Sequence, residues 1–174
     1  LGGSWSSGGS LNTGRRDAGG AGTQTAAQFF FGLNPAPTAL ALNEYYDGTS
    51  WSEQADANTA RAYGGGIGQT QTASLFAGGY SSTSHANVEL WNGSSWTEIA
   101  DINTARENLC NSTAGSSTSG LIFGGYSGGA VGITEEWDGS SWTESGDLNN
   151  AAYEVAGTGI QTAALRAGGN PRST

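Results

Sequence analysis

The sequence predicts an all-β protein, a propeller whose blades are four-stranded antiparallel sheets of about 46 residues each. Three observations lead there. One hairpin phrase is written repeatedly, as "NEYYDGTSWSE" (43–53), "VELWNGSSWTE" (88–98) and "EEWDGSSWTE" (135–144), with a remnant "LGGSWSS" at 1–7. The Trp that follows each turn, at Trp5, Trp51, Trp96 and Trp142, recurs at intervals of 46, 45 and 46 residues. Finally, short β-rich runs are separated by Gly, Asn, Asp and Ser, and no stripe of period 3.6 survives the glycines.

The register holds inside each period. Ten residues after the Trp stand Arg15, Arg61, Arg106 and then Ala152, the first three closing "NTGR", "NTAR" and "NTAR". Seven after it stand Asn12, Asn58, Asn103 and Asn149, and five after it Ser10, Asp56, Asp101 and Asp147. A glycine step follows, read as Gly32–Leu33, Gly78–Gly79, Gly124–Gly125 and Gly168–Gly169. The aromatics Tyr46, Trp91 and Trp137 come five before the next Trp, each with a Glu two residues earlier.

From these landmarks the strands follow in order. Strand a comes after the Arg, strand b ends at the glycines, strand c ends in the aromatic, and strand d starts at the Trp. The "DGTS", "NGSS" and "DGSS" turns between c and d supply a Gly for positive φ and an Asp or Asn that bonds its own backbone. The glycine pair lets strand b end where another backbone approaches. The c-strand aromatic and d-strand Trp give each blade the bulk that face-to-face packing requires, each ring removing about 150–250 Å² from water. The chain is one repeat domain, 1–174, with units 5–50, 51–95, 96–141 and a partial 142–174, and with 1–4 ending a preceding hairpin turn. Strands a and b of the last unit are present and its strand c is not, which points to a piece of a longer propeller or a ring completed by another copy.

Composition excludes several function classes. The net charge is −9, all six basic residues are Arg, and no basic cluster exists, which argues against nucleic acid and anionic membrane as partners. No apolar run approaches the length of a membrane span. Cys110 is alone, so no internal disulfide and no cysteine-based metal site is expected. His85 is the single His, set in the polar loop "YSSTSHAN" and read as exposed and inert. A Ser–His–Asp site would have to use it, and no nucleophile-elbow motif accompanies it. The glycine runs at 19–25 and 64–68 lack the Lys and following helix of a phosphate loop. Glu135, Glu136 and Asp138 alternate in direction along one strand and do not converge. Asp56, Asp101 and Asp147 are read as loop caps that pair between blades. No cofactor, metal site or catalytic residue is expected, and the protein is expected not to be an enzyme.

The Arg before strand a, "GGY" at 78–80 and 124–126, "VELWN" and "EEWD" of strand c, and the Trp of strand d together resemble the kelch repeat family across essentially the whole chain. The resemblance implies a kelch-type β-propeller, with three and a half to four blades here. Its known enzymes, copper radical oxidases, need more His than this chain carries. The wording "GTQTAA" (22–27), "GIQTAALRAGG" (159–169) and "EEWDGSSW" is similar to the Gly/Thr/Ala-rich kelch-like repeats of bacteriophage virion proteins. That implies a tail-fibre or capsid appendage exposed on the virion, contacting host-surface glycan or other virion proteins, and further copies of itself. A secreted bacterial lectin and a kelch adaptor gripping a protein partner are the alternatives. The b–c loops at 34–39, 80–87, 126–133 and 170–174 vary on a repeated frame, so recognition is expected there. The candidate ligand residues are Asn34, Tyr80, His85, Tyr126 and Asn170.

Overall fold

A computed structural model describes residues 4–170, and the expected lead-in at 1–3 and loop end at 171–174 lie outside them. Fourteen strands and no helix are present among the described residues. The first sheet holds β1 (Gly19–Thr23), β2 (Ala26–Phe30), β3 (Asn43–Tyr46) and β4 (Trp51–Glu53) in that order. The second holds β5 (Gly65–Thr70), β6 (Ala73–Ala77), β7 (Val88–Trp91) and β8 (Trp96–Ile99). The third holds β9 (Cys110–Asn111), β10 (Gly120–Phe123), β11 (Thr134–Trp137) and β12 (Trp142–Glu144). A two-stranded sheet of β13 (Ala156–Ile160) and β14 (Ala163–Ala167) follows. All pairings are antiparallel between sequence neighbours.

The third and fourth strands of each full sheet are joined by the turn the sequence announced. Gly48, Gly93 and Gly139 have φ of 95°, 96° and 97°. Asp47 and Asp138 each accept the N–H groups two and three residues on at 2.8 Å, and Asn92 does the same at 3.0 Å. The register this imposes sets Tyr46 opposite Trp51, Trp91 opposite Trp96 and Trp137 opposite Trp142. Their rings lie 5.0, 5.4 and 5.3 Å apart.

Apolar clusters sit between consecutive sheets. Phe30, Phe31, Ala57, Phe76, Trp91 and Trp96 fill the first interface, and Ile67, Leu75, Val88, Ile102, Leu109, Ile122, Trp137 and Trp142 the second. Cys110, Leu121 and Phe123 meet the terminal hairpin. Trp5 departs from the expected packing role, being fully exposed at 102%. The 4–15 segment lays no aromatic on the first sheet there; Gly9 O instead accepts the Trp51 indole N–H at 3.0 Å.

The first strands of neighbouring sheets come closest together, and small residues permit it. A Cβ on Gly66 would stand 3.0 Å from Gly19 Cα and from Gly20 N. The glycine pairs act similarly: Gly79 N–H donates to Arg106 O and Gly125 N–H to Ala152 O, at 2.9 and 2.8 Å. In the first sheet this pair is Phe31–Gly32, not Gly32–Leu33. Phe31 takes φ 61°, like Gly78 (64°), Gly124 (65°) and Gly168 (71°), and Gly32 takes φ 108°, like Gly79 (103°). Leu33 is the buried residue after the pair, equivalent to Tyr80.

Candidate functional site

One rim of the molecule is built from the loops after each second strand and the loops before each first strand. An antiparallel bridge locks each pair of loops: Arg16 with Leu33, Ala62 with Tyr80, Glu107 with Tyr126, and Tyr153 with Asn170. The residue after the first partner is left-handed in every unit, with φ of 56° at Asp17, 60° at Tyr63, 50° at Asn108 and 55° at Glu154. That conformation costs roughly 1–2 kcal/mol for a residue with a Cβ. It is offset by a ladder between units, in which Tyr63 N–H donates to Asp17 O (3.1 Å), Asn108 N–H to Tyr63 O (2.7 Å) and Glu154 N–H to Asn108 O (3.0 Å). These four residues with Ala18, Gly64 and Leu109 line a cavity of about 240 Å³. The side chains at its mouth are mixed. Arg16 donates to the Tyr63 hydroxyl and the Asp17 carboxylate, which together raise its pKa. Burial pushes Glu107 above the usual carboxylate range.

The five residues singled out in the sequence sit on or beside this rim, each already engaged. Asn34 is half-buried and its Oδ1 accepts Thr38 N–H at 2.9 Å. Tyr80 and Tyr126 are half-buried and bridge to Ser84 and Ala130 across their own loops. Tyr126 packs edge-on to Tyr153 with ring centroids 5.4 Å apart, and Asn170 donates to the Tyr153 hydroxyl at 2.8 Å. Tyr126, Tyr153 and Asn170 thus form one group, while Asn34 and His85 stand apart from it.

His85 is less exposed than expected. It is half-buried, its Nε2 lies 2.8 Å from Ser81 Oγ, and its Nδ1 lies 3.2 Å from Asn87 Oδ1. Asn87 in turn donates to Glu98 at 2.7 Å. Ser81, His85 and Asn87 therefore stand in the connectivity of a nucleophile relay. The third member is an amide, however, and brings no charge to stabilise an imidazolium beside an alcohol nucleophile.

The Asp56, Asp101 and Asp147 positions do not form a paired ring. Asp56 and Asp101 are exposed, and Asp147 Oδ1 accepts only Thr134 N–H, at 3.3 Å. The repeated polar network uses the Glu of each third strand instead. Glu89 Oε2 accepts Asn58 N–H (2.7 Å) and Nδ2 (2.8 Å), and its Oε1 accepts Arg61 Nη1 at 2.6 Å. Glu44 with Asn12 and Arg15, and Glu135 with Asn103 and Arg106, repeat the set. Every one of these Arg and Glu side chains is buried. Burial lowers Arg61, opposed by Glu89, and burial raises Glu44, which the donors Asn12 and Arg15 outweigh to leave it lowered. The signal was present in the sequence as the Glu two before each aromatic, in step with the Arg. Glu136 faces away from this network and accepts from Gln161 at 3.2 Å.

No protein-family model matches the chain. No curated protein matches it either.

Proposed function

We propose that the sheets are blades of a kelch-type β-propeller, and that the protein is a non-enzymatic binding and structural module of a virion appendage whose loop rim contacts host-surface glycan. The observation that carries this reading is how the repeat spends its charges. Three of the six Arg and their Glu partners are consumed inside the molecule. Beside the Arg16–Asp17 pair and the carboxylates of Glu107 and Glu154, the rim carries a neutral patch of aromatic, hydroxyl and amide groups, with Tyr126, Tyr153 and Asn170 adjacent. Such groups offer neutral donors and acceptors beside an amphipathic ring, which suits an uncharged polar ligand such as a sugar. The similarity of the repeat wording to phage virion repeats supports the appendage setting.

A glycan array probed with the intact chain tests this reading. Saturable binding to a defined glycan, lost in Tyr126→Ala with the fold retained, is expected; a blank array removes the glycan and leaves only a structural role. Hydrolysis of acyl esters that disappears in Ser81→Ala would overturn the non-enzymatic reading.

A further inference from the structure

The hydrogen bonds around His85 fix which of its ring nitrogens carries the proton. Glu98 Oε1 lies 2.7 Å from Asn87 Nδ2, and a carboxylate only accepts, so that amide nitrogen is the donor. The Asn87 amide oxygen is then the atom 3.2 Å from His85 Nδ1, and Nδ1 brings the proton to it. In the neutral ring Nε2 is bare, and it accepts the Ser81 hydroxyl proton across 2.8 Å. The Ser81 O–H is committed inward for as long as the ring is neutral.

A proton on Nε2 reverses that last bond and disturbs no other. Nε2–H then donates to Ser81 Oγ, the Ser81 proton turns outward, and Nδ1 goes on donating to Asn87. The His85 main chain is held in either state, its N–H on Gly79 O at 2.8 Å and its O taking Arg106 N–H at 3.2 Å. The elements packed against the ring bring Tyr80 from its own loop, Glu98 from β8, and Asp101, Arg106 and Glu107 from the loop that follows. Arg61 reaches Asn87 O at 3.5 Å, but its charge is met by Glu89, as that of Arg106 is by Glu135.

Ser81 lines a groove of about 410 Å³ between the 34–39 and 80–87 loops, together with Pro37, Thr38, Ala39, Ala60 and Ser82. None of the six carries a charge, and the Thr38 hydroxyl proton is spent on Ala36 O at 3.3 Å. With His85 neutral, Ser81 and Thr38 thus offer the groove acceptors only. Protonation adds one donor and one positive charge behind it.

We propose that this groove is a pH-gated site for the carboxylate of an acidic sugar, weak while His85 is neutral and strengthened by the proton that turns the Ser81 hydroxyl outward. The assignment rests on the reading of the rim as a glycan-contacting surface and names the sugar class that one groove of it takes. A donor and a cation arrive together, and only a ligand that is both acceptor and anion gains from both. Pro37, Ala39 and Ala60 supply apolar sides for the C–H faces of a sugar ring. Histidine ordinarily changes charge between about pH 5 and 8, a range in which a sugar carboxylate stays ionised.

The probes are methyl glucuronide and methyl glucoside, which differ by that carboxylate, titrated into the intact chain by calorimetry at about pH 8 and about pH 5.5. The glucuronide should bind about tenfold more tightly at the lower pH, the scale of one charge-assisted hydrogen bond, and the glucoside equally at both. By reciprocity the glucuronide must draw protons onto His85. The ring C–H signals of this single His should move toward their protonated positions when glucuronide is added at fixed pH, and stay put with glucoside. His85→Gln, neutral at every pH, should abolish the pH dependence, and Ser81→Ala should lose most of the gain at low pH. The Ser81→Ala comparison stands alone if His85→Gln fails to fold. Glucuronide binding that ignores pH, a pH dependence that survives His85→Gln, or no glucuronide binding at either pH overturns the proposal. Binding of the glucoside alone also overturns it, while leaving the glycan reading of the rim intact.

Discussion

Phe31 stacks on Phe76 with ring centroids 4.1 Å apart and planes 16° from parallel, although Phe31 holds a left-handed backbone that the other units give to glycine. The space its ring needs is made by its neighbours. Around Gly78 stand Ile102 and Leu109, and around Gly124 stands Leu148. At the first interface the corresponding residues are Ala57 and Gly64. Bulk has moved from the loop onto the glycine position, a compensating exchange of the kind close-packed interiors tolerate. The Arg61 guanidinium completes the layer, 4.7 Å from the Phe31 ring centre.

Phe31→Gly should therefore destabilise the protein by about 2–4 kcal/mol, a core Phe deletion partly relieved by the lost backbone strain. The mirror change, Gly78→Phe, places a Cβ 2.7 Å from Arg106 O and 2.9 Å from Leu109 Cδ2, and should prevent folding. Adding Ile102→Ala and Leu109→Gly to it should restore a folded protein. Chemical denaturation of the three variants checks the exchange.

Glu89→Ala should cost about 3–5 kcal/mol, because it strands the buried Arg61 guanidinium without its counter-charge. Replacing Arg61 and Glu89 together by Leu and Met should cost less than Glu89→Ala alone. Urea midpoints at constant slope decide it.

Asp138 anchors the turn between β11 and β12, and bonds from Ser141 N–H and from Ser140 hold its pKa down to about 2. A depressed carboxylate contributes fully above its unfolded-state pKa, near 4, and loses that contribution as pH falls towards 2. Asp138→Asn should behave like the wild type at pH 7, since Asn92 makes the same turn, and should flatten the decline between pH 4 and 2. Thermal unfolding at stepped pH measures the difference.

Cys110 is buried against the terminal hairpin, and burial pushes its thiol pKa up. Labelling by a thiol-specific disulfide reagent at pH 8 should be about a hundredfold or more slower in the native protein than in denaturant, because it requires opening of the β9–β13 contact. Gly157 lies beside it, where a Cβ would meet Cys110 Sγ at 2.3 Å. Gly157→Ala should accelerate labelling, and an unchanged rate would show that the hairpin is not what shields the thiol.

What the sequence by itself determined was local and periodic. The turn residues Asp47, Asn92 and Asp138 with their following glycines set the hairpin register, and that register fixes which Trp faces which. Strand order a–b–c–d within each sheet followed from the same punctuation, because antiparallel strands that follow one another in sequence pair with their sequence neighbours. The sheet-to-sheet relations were decided only by the tertiary structure. That Arg61 meets a Glu 28 residues away and that Phe31 can occupy a glycine's conformation both depend on which faces meet and how much volume lies between them. Pairwise spacing carries none of that information, since the same landmarks fit an exposed charge, an isolated aromatic or a buried pair equally well. The same reason left the partial burial of His85 illegible: a polar loop in sequence gives no sign that Ser81 and Asn87 close on its two ring nitrogens.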